Sequence, residues 1–134
     1  MPKFFKRWAP KAQPRFFKKE DRFRGSAQDR GYDWAWQRLS GAYRKDHPFC
    51  EECDHWGRVE PMVYVDHMVP IRIDPEKRLD PENIWSLCAR CHHQFKFRLE
   101  RYAETAHQTQ HLQDWCRKPE TRPKAFREDL KRIT

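Results

Sequence analysis

The chain has 134 residues, 37% of them hydrophobic and 36% charged, with a formal net charge of +8 and five cysteines. The apolar share is below the roughly 45 to 50% of a typical soluble domain, so one small core is expected, and a bound metal contributing folding free energy fits such a core. No run of 18 apolar residues occurs and no apolar leader opens the chain, which argues against a membrane span or signal peptide and for a reducing, intracellular compartment.

The charge is unevenly placed. Residues 1–30 hold ten Lys or Arg against three acidic residues, while residues 31–134 hold eighteen against seventeen. Phe16, Phe17 and Phe23 lie among Lys18, Lys19 and Arg22, a mixture suited to phosphate contact with aromatic stacking. Pro2, Pro10 and Pro14 break any helical period, so residues 1–30 read as an extended or disordered, flexible basic arm.

The folded part is expected over residues 31–107. Asp33 is a good N-cap for a helix through about Lys45, with Trp36, Leu39 and Tyr43 on one face and Pro48 beyond its end. Val59 to Val69 reads as a strand with His67 near its end, and Pro61 marks an edge or a strand start. Asp74-Pro75 and Asp80-Pro81 punctuate a polar loop over residues 70–83, and Ile84 to Leu87 can form a second strand. From about Arg90 to His107, Cys91, Phe95, Leu99, Tyr102 and Ala106 recur at helical spacing. Residues 108–134 read as a polar C-terminal tail with a short helix near Ala125 to Arg132, using Phe126 and Leu130. The fold class is therefore α+β: two strands and a helix around a metal region, with one preceding helix.

Cys50-x-x-Cys53 and Cys88-x-x-Cys91 supply the four thiolates that tetrahedral Zn²⁺ prefers, leaving Cys116 as a spare without a role. The 34 residues between the pairs far exceed the roughly 15 to 20 of a simple zinc ribbon, and they carry Asp66-His67. Phosphodiester hydrolysis needs a base for water and a cation for the charge that develops on phosphoryl oxygens. His67 is the candidate general base. Asp66 and His92 offer a hard oxygen and a nitrogen to a catalytic Mg²⁺, Mn²⁺ or other divalent ion, and Asn83 is expected to orient the His67 imidazole by a hydrogen bond. Arg72, Arg90, Lys96, Arg98 and Arg101 are candidate contacts to a DNA backbone, as are Lys18 and Lys19 in the arm.

The segments Asp66-His67-Met68-Val69-Pro70, Asn83-Ile84-Trp85-Ser86-Leu87-Cys88 and Cys88-Ala89-Arg90-Cys91-His92 resemble, in order, the three motifs of the HNH endonucleases. The similarity runs from Trp34 to about Tyr102 and is strongest to the phage-type, zinc-containing branch. It implies a ββα-metal core stapled by a four-cysteine zinc site. It also implies that His67 acts as base, Asp66 and His92 as ligands to the catalytic ion, and Asn83 as the group that orients the base.

One position departs from the pattern. Cys-His-x-x-Lys would put a lysine at 95, where Phe95 stands, with Lys96 one residue late; aligned on His93-Gln94-Phe95-Lys96, His93 is the ligand instead. The resemblance implies nicking or double-strand cleavage of DNA, action beside phage terminase in DNA packaging, and a location in the host cytoplasm. The alternative is a non-catalytic, zinc-stabilised nucleic-acid-binding module, in which Asp66 and His67 serve only as turn caps.

Overall fold

The computed structural model describes Ser26 and residues 30–127; the arm with Lys18 and Lys19, and Leu130 near the C-terminus, lie outside the described residues. Helix α1 (Trp34–Asp46) starts where Asp33 accepts a hydrogen bond from the Trp36 backbone N–H at 3.1 Å, satisfying one of the donors a helix start leaves without a partner. His47 closes it by donating its backbone N–H to the Tyr43 carbonyl. A short helix α2 (Glu51–His55), not expected from the sequence, comes next within the first cysteine pair, and the Cys50 sulfur caps its start by accepting from the Cys53 N–H.

Strands β1 (Tyr64–His67) and β2 (Ile84–Leu87) form an antiparallel pair in which Asp66 faces Trp85 and His67 faces Ile84. β2 has its expected bounds. β1 is shorter than the predicted Val59 to Val69, because residues 60–62 bond to the first knuckle instead: Cys50 donates to the Glu60 carbonyl, Met62 donates to the Pro48 carbonyl, and Phe49 bridges Pro61. Pro61 has no N–H to give a ladder, so the chain leaves the sheet there. In the loop between the strands, Asp74 and Asp80 each accept from the backbone two residues on, and the adjoining proline opens a single 3₁₀ turn in both cases.

The expected helix after the second knuckle is divided. Cys91–Lys96 forms a π-helical turn, and a regular helix α3 (Phe97–Thr105) continues from it. Its buried face is Phe95, Leu99 and Ala103, whereas Tyr102 and Ala106 are exposed. The inward stripe thus advances by four, from Phe95 to Leu99 to Ala103. Tyr102 instead covers Trp115 and Phe126 from the side, with ring centroids at 5.9 and 5.3 Å.

The polar tail expected after residue 107 also has to be corrected. Helix α4 (Leu112–Arg117) buries Leu112, Trp115 and Cys116 at i, i+3 and i+4, and the chain then returns over the core through Arg122 and Phe126. Lys124–Phe126 is a 3₁₀ turn where the start of a terminal helix was expected. Cys116, left without a role by the sequence, is a fully buried core residue whose thiol burial pushes up to about 12. Arg122 makes a bidentate bond to Glu52, with both side chains fully buried. The remaining guanidinium N–H groups reach the Trp115 and Cys116 carbonyls, and the plane lies 4.8 Å over the Phe95 ring. Glu52 also accepts from the Trp56 indole, so the pair is hydrogen-bonded on both sides, as a charge removed from water requires. No helix among the described residues is long and apolar enough to cross a membrane.

Candidate active site and metal centre

Two tight turns, one at each knuckle, bring Cys50, Cys53, Cys88 and Cys91 together, with all four sulfurs within 4.8 Å of one another and no disulfide among them. Cys53 Sγ lies 3.9 Å from Cys88 Sγ and 3.7 Å from Cys91 Sγ. A tetrahedron with metal–sulfur bonds of about 2.3 Å has edges of about 3.8 Å, so the spacing fits a single ion of zinc size. The electrostatics agree. The Cys91 thiol and backbone N–H groups hold Cys50 down at about 5, while burial and the Cys50 charge push Cys53 up to about 12. Its bond to Cys50, together with burial, raises Cys91 further still. Four thiolates this close repel one another, and a cation would be needed for all of them to form.

A second site begins one residue later. Alternation along β1 sends Asp66 and His67 to opposite sides. Asp66 opens onto a cleft of about 260 Å³ that Tyr32, Arg72, His92, His93, Lys96 and Glu100 also line. His67 is 2% exposed, sits behind that cleft, and stacks on Trp36 with centroids 4.2 Å apart. Tyr32 connects the two, since it lines the cleft and meets the His67 ring edge-on at 6.1 Å. His67 Nε2 lies 2.8 Å from the Arg78 carbonyl, which can only accept; Nε2 therefore carries the proton and Nδ1 is the basic nitrogen. Burial lowers the His67 pKa below its ordinary 6.5, outweighing the Arg78 carbonyl and the Asp66 carboxylate.

Asn83 does not bond to His67. Its carboxamide accepts from the Val69 N–H at 2.9 Å and donates to the Val69 and Lys77 carbonyls at 3.1 and 3.3 Å. It thereby ties both ends of the inter-strand loop and fixes Lys77, the residue before the carbonyl that holds His67. The His67 imidazole is held through backbone, where a direct side-chain contact from Asn83 was expected from the sequence.

A profile of the HNH endonuclease family matches residues 50–98. The crystal structure of the deep-sea thermophilic bacteriophage GVE2 HNH endonuclease with manganese ion is 32% identical to this chain, covering 64% of it and 98% of the phage protein, with a TM-score of 0.52. Comparison with curated proteins gives no match. The chain belongs to the HNH endonuclease family. It is a nuclease, and the two-stranded sheet with the helix after it is the HNH fold.

Within that HNH core the departure from the family spacing has a structural reason. Cys91-His92-His93-Gln94-Phe95-Lys96 is one residue longer than Cys-His-x-x-Lys, and the π turn spans the same six residues. A π turn adds one residue to a helix without shifting the later residues out of register, so Lys96 stands where the pattern puts its lysine. Counting from Cys91 selects His92 and counting back from Lys96 selects His93; both line the cleft. Burial lowers the pKa of His92, against the pull of Asp66.

The candidate DNA-contacting residues separate. Arg101 is exposed on α3, beside Arg72. Arg72 forms ion pairs with Glu100 and Glu104. Arg90 is exposed next to the second knuckle, and Arg98 lies 5.9 Å over the Phe126 ring. Lys96 is not a surface contact: it is 1% exposed, its ammonium bonded to Glu100 and 4.0 Å from Asp66. Burial alone would lower its pKa, but Asp66 and Glu100 hold it above the ordinary lysine value, so it remains charged. Glu100, and Tyr64, which stacks on His92 at 4.3 Å, carried no signal in the sequence, and Arg78, legible there only as a basic residue near the site, holds His67 through its carbonyl while its guanidinium bonds Gly31 and Asp33. Trp36 was legible only as part of an apolar helix face.

Proposed function

We propose that this HNH nuclease hydrolyses DNA phosphodiester bonds, with His67 as general base and a divalent ion such as Mg²⁺ or Mn²⁺ held by Asp66 and His92. The observation that carries the reading is the 2.8 Å bond from His67 Nε2–H to the Arg78 carbonyl. It leaves Nδ1 with a lone pair, and burial keeps the ring neutral, so Nδ1 takes the proton from a water beside the scissile phosphate. Asn83 is a positioning residue acting through the loop that presents the Arg78 carbonyl. When bound, the ion stabilises the charge developing on the phosphate and leaving oxygens. Asp66 is suited to hold it, because one carboxylate oxygen accepts the His67 backbone N–H at 2.9 Å and so fixes the group's direction.

The cysteine cluster holds structural Zn²⁺ in this reading, supported by its edge lengths and its lack of disulfides. Arg72, Arg90, Arg98 and Arg101 with Lys18 and Lys19 supply a sequence-independent attraction to the DNA backbone. The phage origin of the structurally similar GVE2 nuclease supports a role beside terminase in DNA packaging, in the cytoplasm of an infected host. Nicking of supercoiled plasmid tests the reading. Cleavage should require added divalent ion and disappear in His67→Ala while zinc content and the far-UV spectrum stay the same; wild-type cleavage by that variant removes His67 from the mechanism. Binding without cleavage under every divalent ion would instead favour the non-catalytic module.

A further inference from the structure

Helix α2 closes on Gly57, whose φ of 73° is the left-handed conformation that glycine adopts without strain. That turn brings the Gly57 N–H to the Asp54 carbonyl and the Arg58 N–H to the Cys53 carbonyl, each at 3.0 Å, the paired bonds of a Schellman closure. Arg58 is thereby tied through its own backbone to a residue of the cysteine cluster. Its side chain lines a hollow of about 420 Å³ together with Cys53, Cys88, Glu60 and Arg90. One guanidinium nitrogen, Nη2, lies 3.6 Å from the Glu60 carboxylate. The other, Nη1, is buried and has no hydrogen-bond partner among the described residues. A buried charged donor without an acceptor is rare, because the bond it gave to water has not been replaced.

We propose that the missing acceptor is a thiolate: with zinc bound, Arg58 Nη1 donates to the Cys53–Cys88 edge of the cluster and slows the loss of the metal. The inference rests on the reading that the four cysteines hold zinc, and it adds a partner outside the ligand set. Charge supports it. Zn²⁺ with four thiolates keeps a net double negative charge, which a guanidinium beside it offsets in part. Position supports it as well, since Cys53 and Cys88 are the two ligands that line the hollow, and their sulfurs are 3.9 Å apart. Cys88 is also the only one of the four that is not buried, so its thiolate is the most open to the proton that would detach it. A hydrogen bond to the thiolate favours the charged form and opposes that proton. Burial decides between acceptors: a DNA phosphate arriving from solvent does not reach a nitrogen that the protein covers, whereas Arg90 at the same hollow is exposed to one.

The test is zinc retention in the full-length, zinc-loaded protein, comparing wild type with Arg58→Met and Arg58→Lys. Transfer of zinc to a chromophoric chelator should be about tenfold faster in Arg58→Met, the loss typical when a partner outside the ligand set is removed. Arg58→Lys, which keeps a charged donor, should fall between the two, and it decides the matter alone if Arg58→Met does not fold. Co²⁺ in place of zinc supplies a readout of the bond itself: without the N–H donor, the sulfur-to-cobalt charge-transfer band should move to lower energy. Equal transfer rates in all three proteins overturn the role of Arg58 while leaving the zinc centre in place. Faster transfer with an unmoved cobalt band overturns the hydrogen bond, because Arg58 then acts through packing. Unchanged zinc loss in Arg58→Met, with the slope of log DNA affinity against log salt lowered by about 0.9, overturns it in favour of a phosphate contact. A wild-type protein that binds no zinc at its cysteines overturns the reading beneath the inference as well.

Discussion

Cys91 and His92 are joined by one peptide bond, yet they belong to sites of opposite character. The cysteine cluster is largely buried, draws its four ligands from two distant stretches of chain, and has no cation among its ligands to offset four thiolates. The cleft is open, and its groups already have partners: Asp66 with Lys96, Lys96 with Glu100, His92 with His93. A site that depends on its ion to be electrically acceptable belongs to folding, whereas one that is balanced without its ion can exchange it and belongs to turnover. The π turn separates the two, letting Cys91 stay with the knuckle while the next residues turn into the cleft.

Removing a ligand or an ion from each side puts this contrast at greatest risk. Cys91→Ser should abolish cooperative folding and zinc retention together, since structural zinc supplies on the order of 10 kcal/mol in small domains; thermal unfolding followed by circular dichroism, with metal analysis, reads both. A folded, zinc-free variant would mean that the cluster is not the staple. Removing the cleft ion with a mild chelator should abolish cleavage and leave the unfolding temperature nearly unchanged.

A second contrast lies within the fold, between charges that are buried and charges that are exposed. Arg122→Ala strands Glu52 in the core and should cost about 3–5 kcal/mol in urea unfolding. A cost below about 1 kcal/mol would show that water reaches the site.

His67 distinguishes the buried side from the open cleft by pH. Its folded pKa lies below 6.5 because burial disfavours the imidazolium, so the folded state holds fewer protons than the unfolded one. Stability from this group is therefore complete above 6.5 and is lost as pH falls through the lower folded value. The acid limb of the cleavage profile should also lie below 6.5; a limb above it would place the base elsewhere. The weakest response is expected for Arg101→Ala, which should reduce DNA binding evenly across sequences and lower the slope of log affinity against log salt by about 0.9.

What could be read in the sequence was local or strongly typed. Asp33 caps α1, Ile84 to Leu87 form β2, and the two cysteine pairs converge, because a cap, a short apolar run and a C-x-x-C turn each act within a few residues. What could not be read depends on contacts between distant segments. Asn83 ties the start of the loop at Val69 and its middle at Lys77, and no residue near it announces that. Leu112, Trp115 and Cys116 have clear helical spacing, but the polar residues around them lend the whole segment the look of a tail. The His92 or His93 ambiguity was itself a signal. A residue too many between Cys91 and Lys96 has no fit in an α-helix, and the π turn resolves it by keeping both histidines at the cleft.

The Glu52–Arg122 bond spans 70 positions of chain, and it implies an order of events during synthesis. The first knuckle leaves the ribosome early with Glu52 inside it, and the arginine that neutralises that carboxylate emerges only after the strands, the cleft and α4 have all been made. Until then the knuckle cannot bury Glu52 without stranding its charge. A nascent chain stopped at residue 111 is thus expected to lack a closed core, and synthesis through Arg122 becomes the condition for assembling the nuclease.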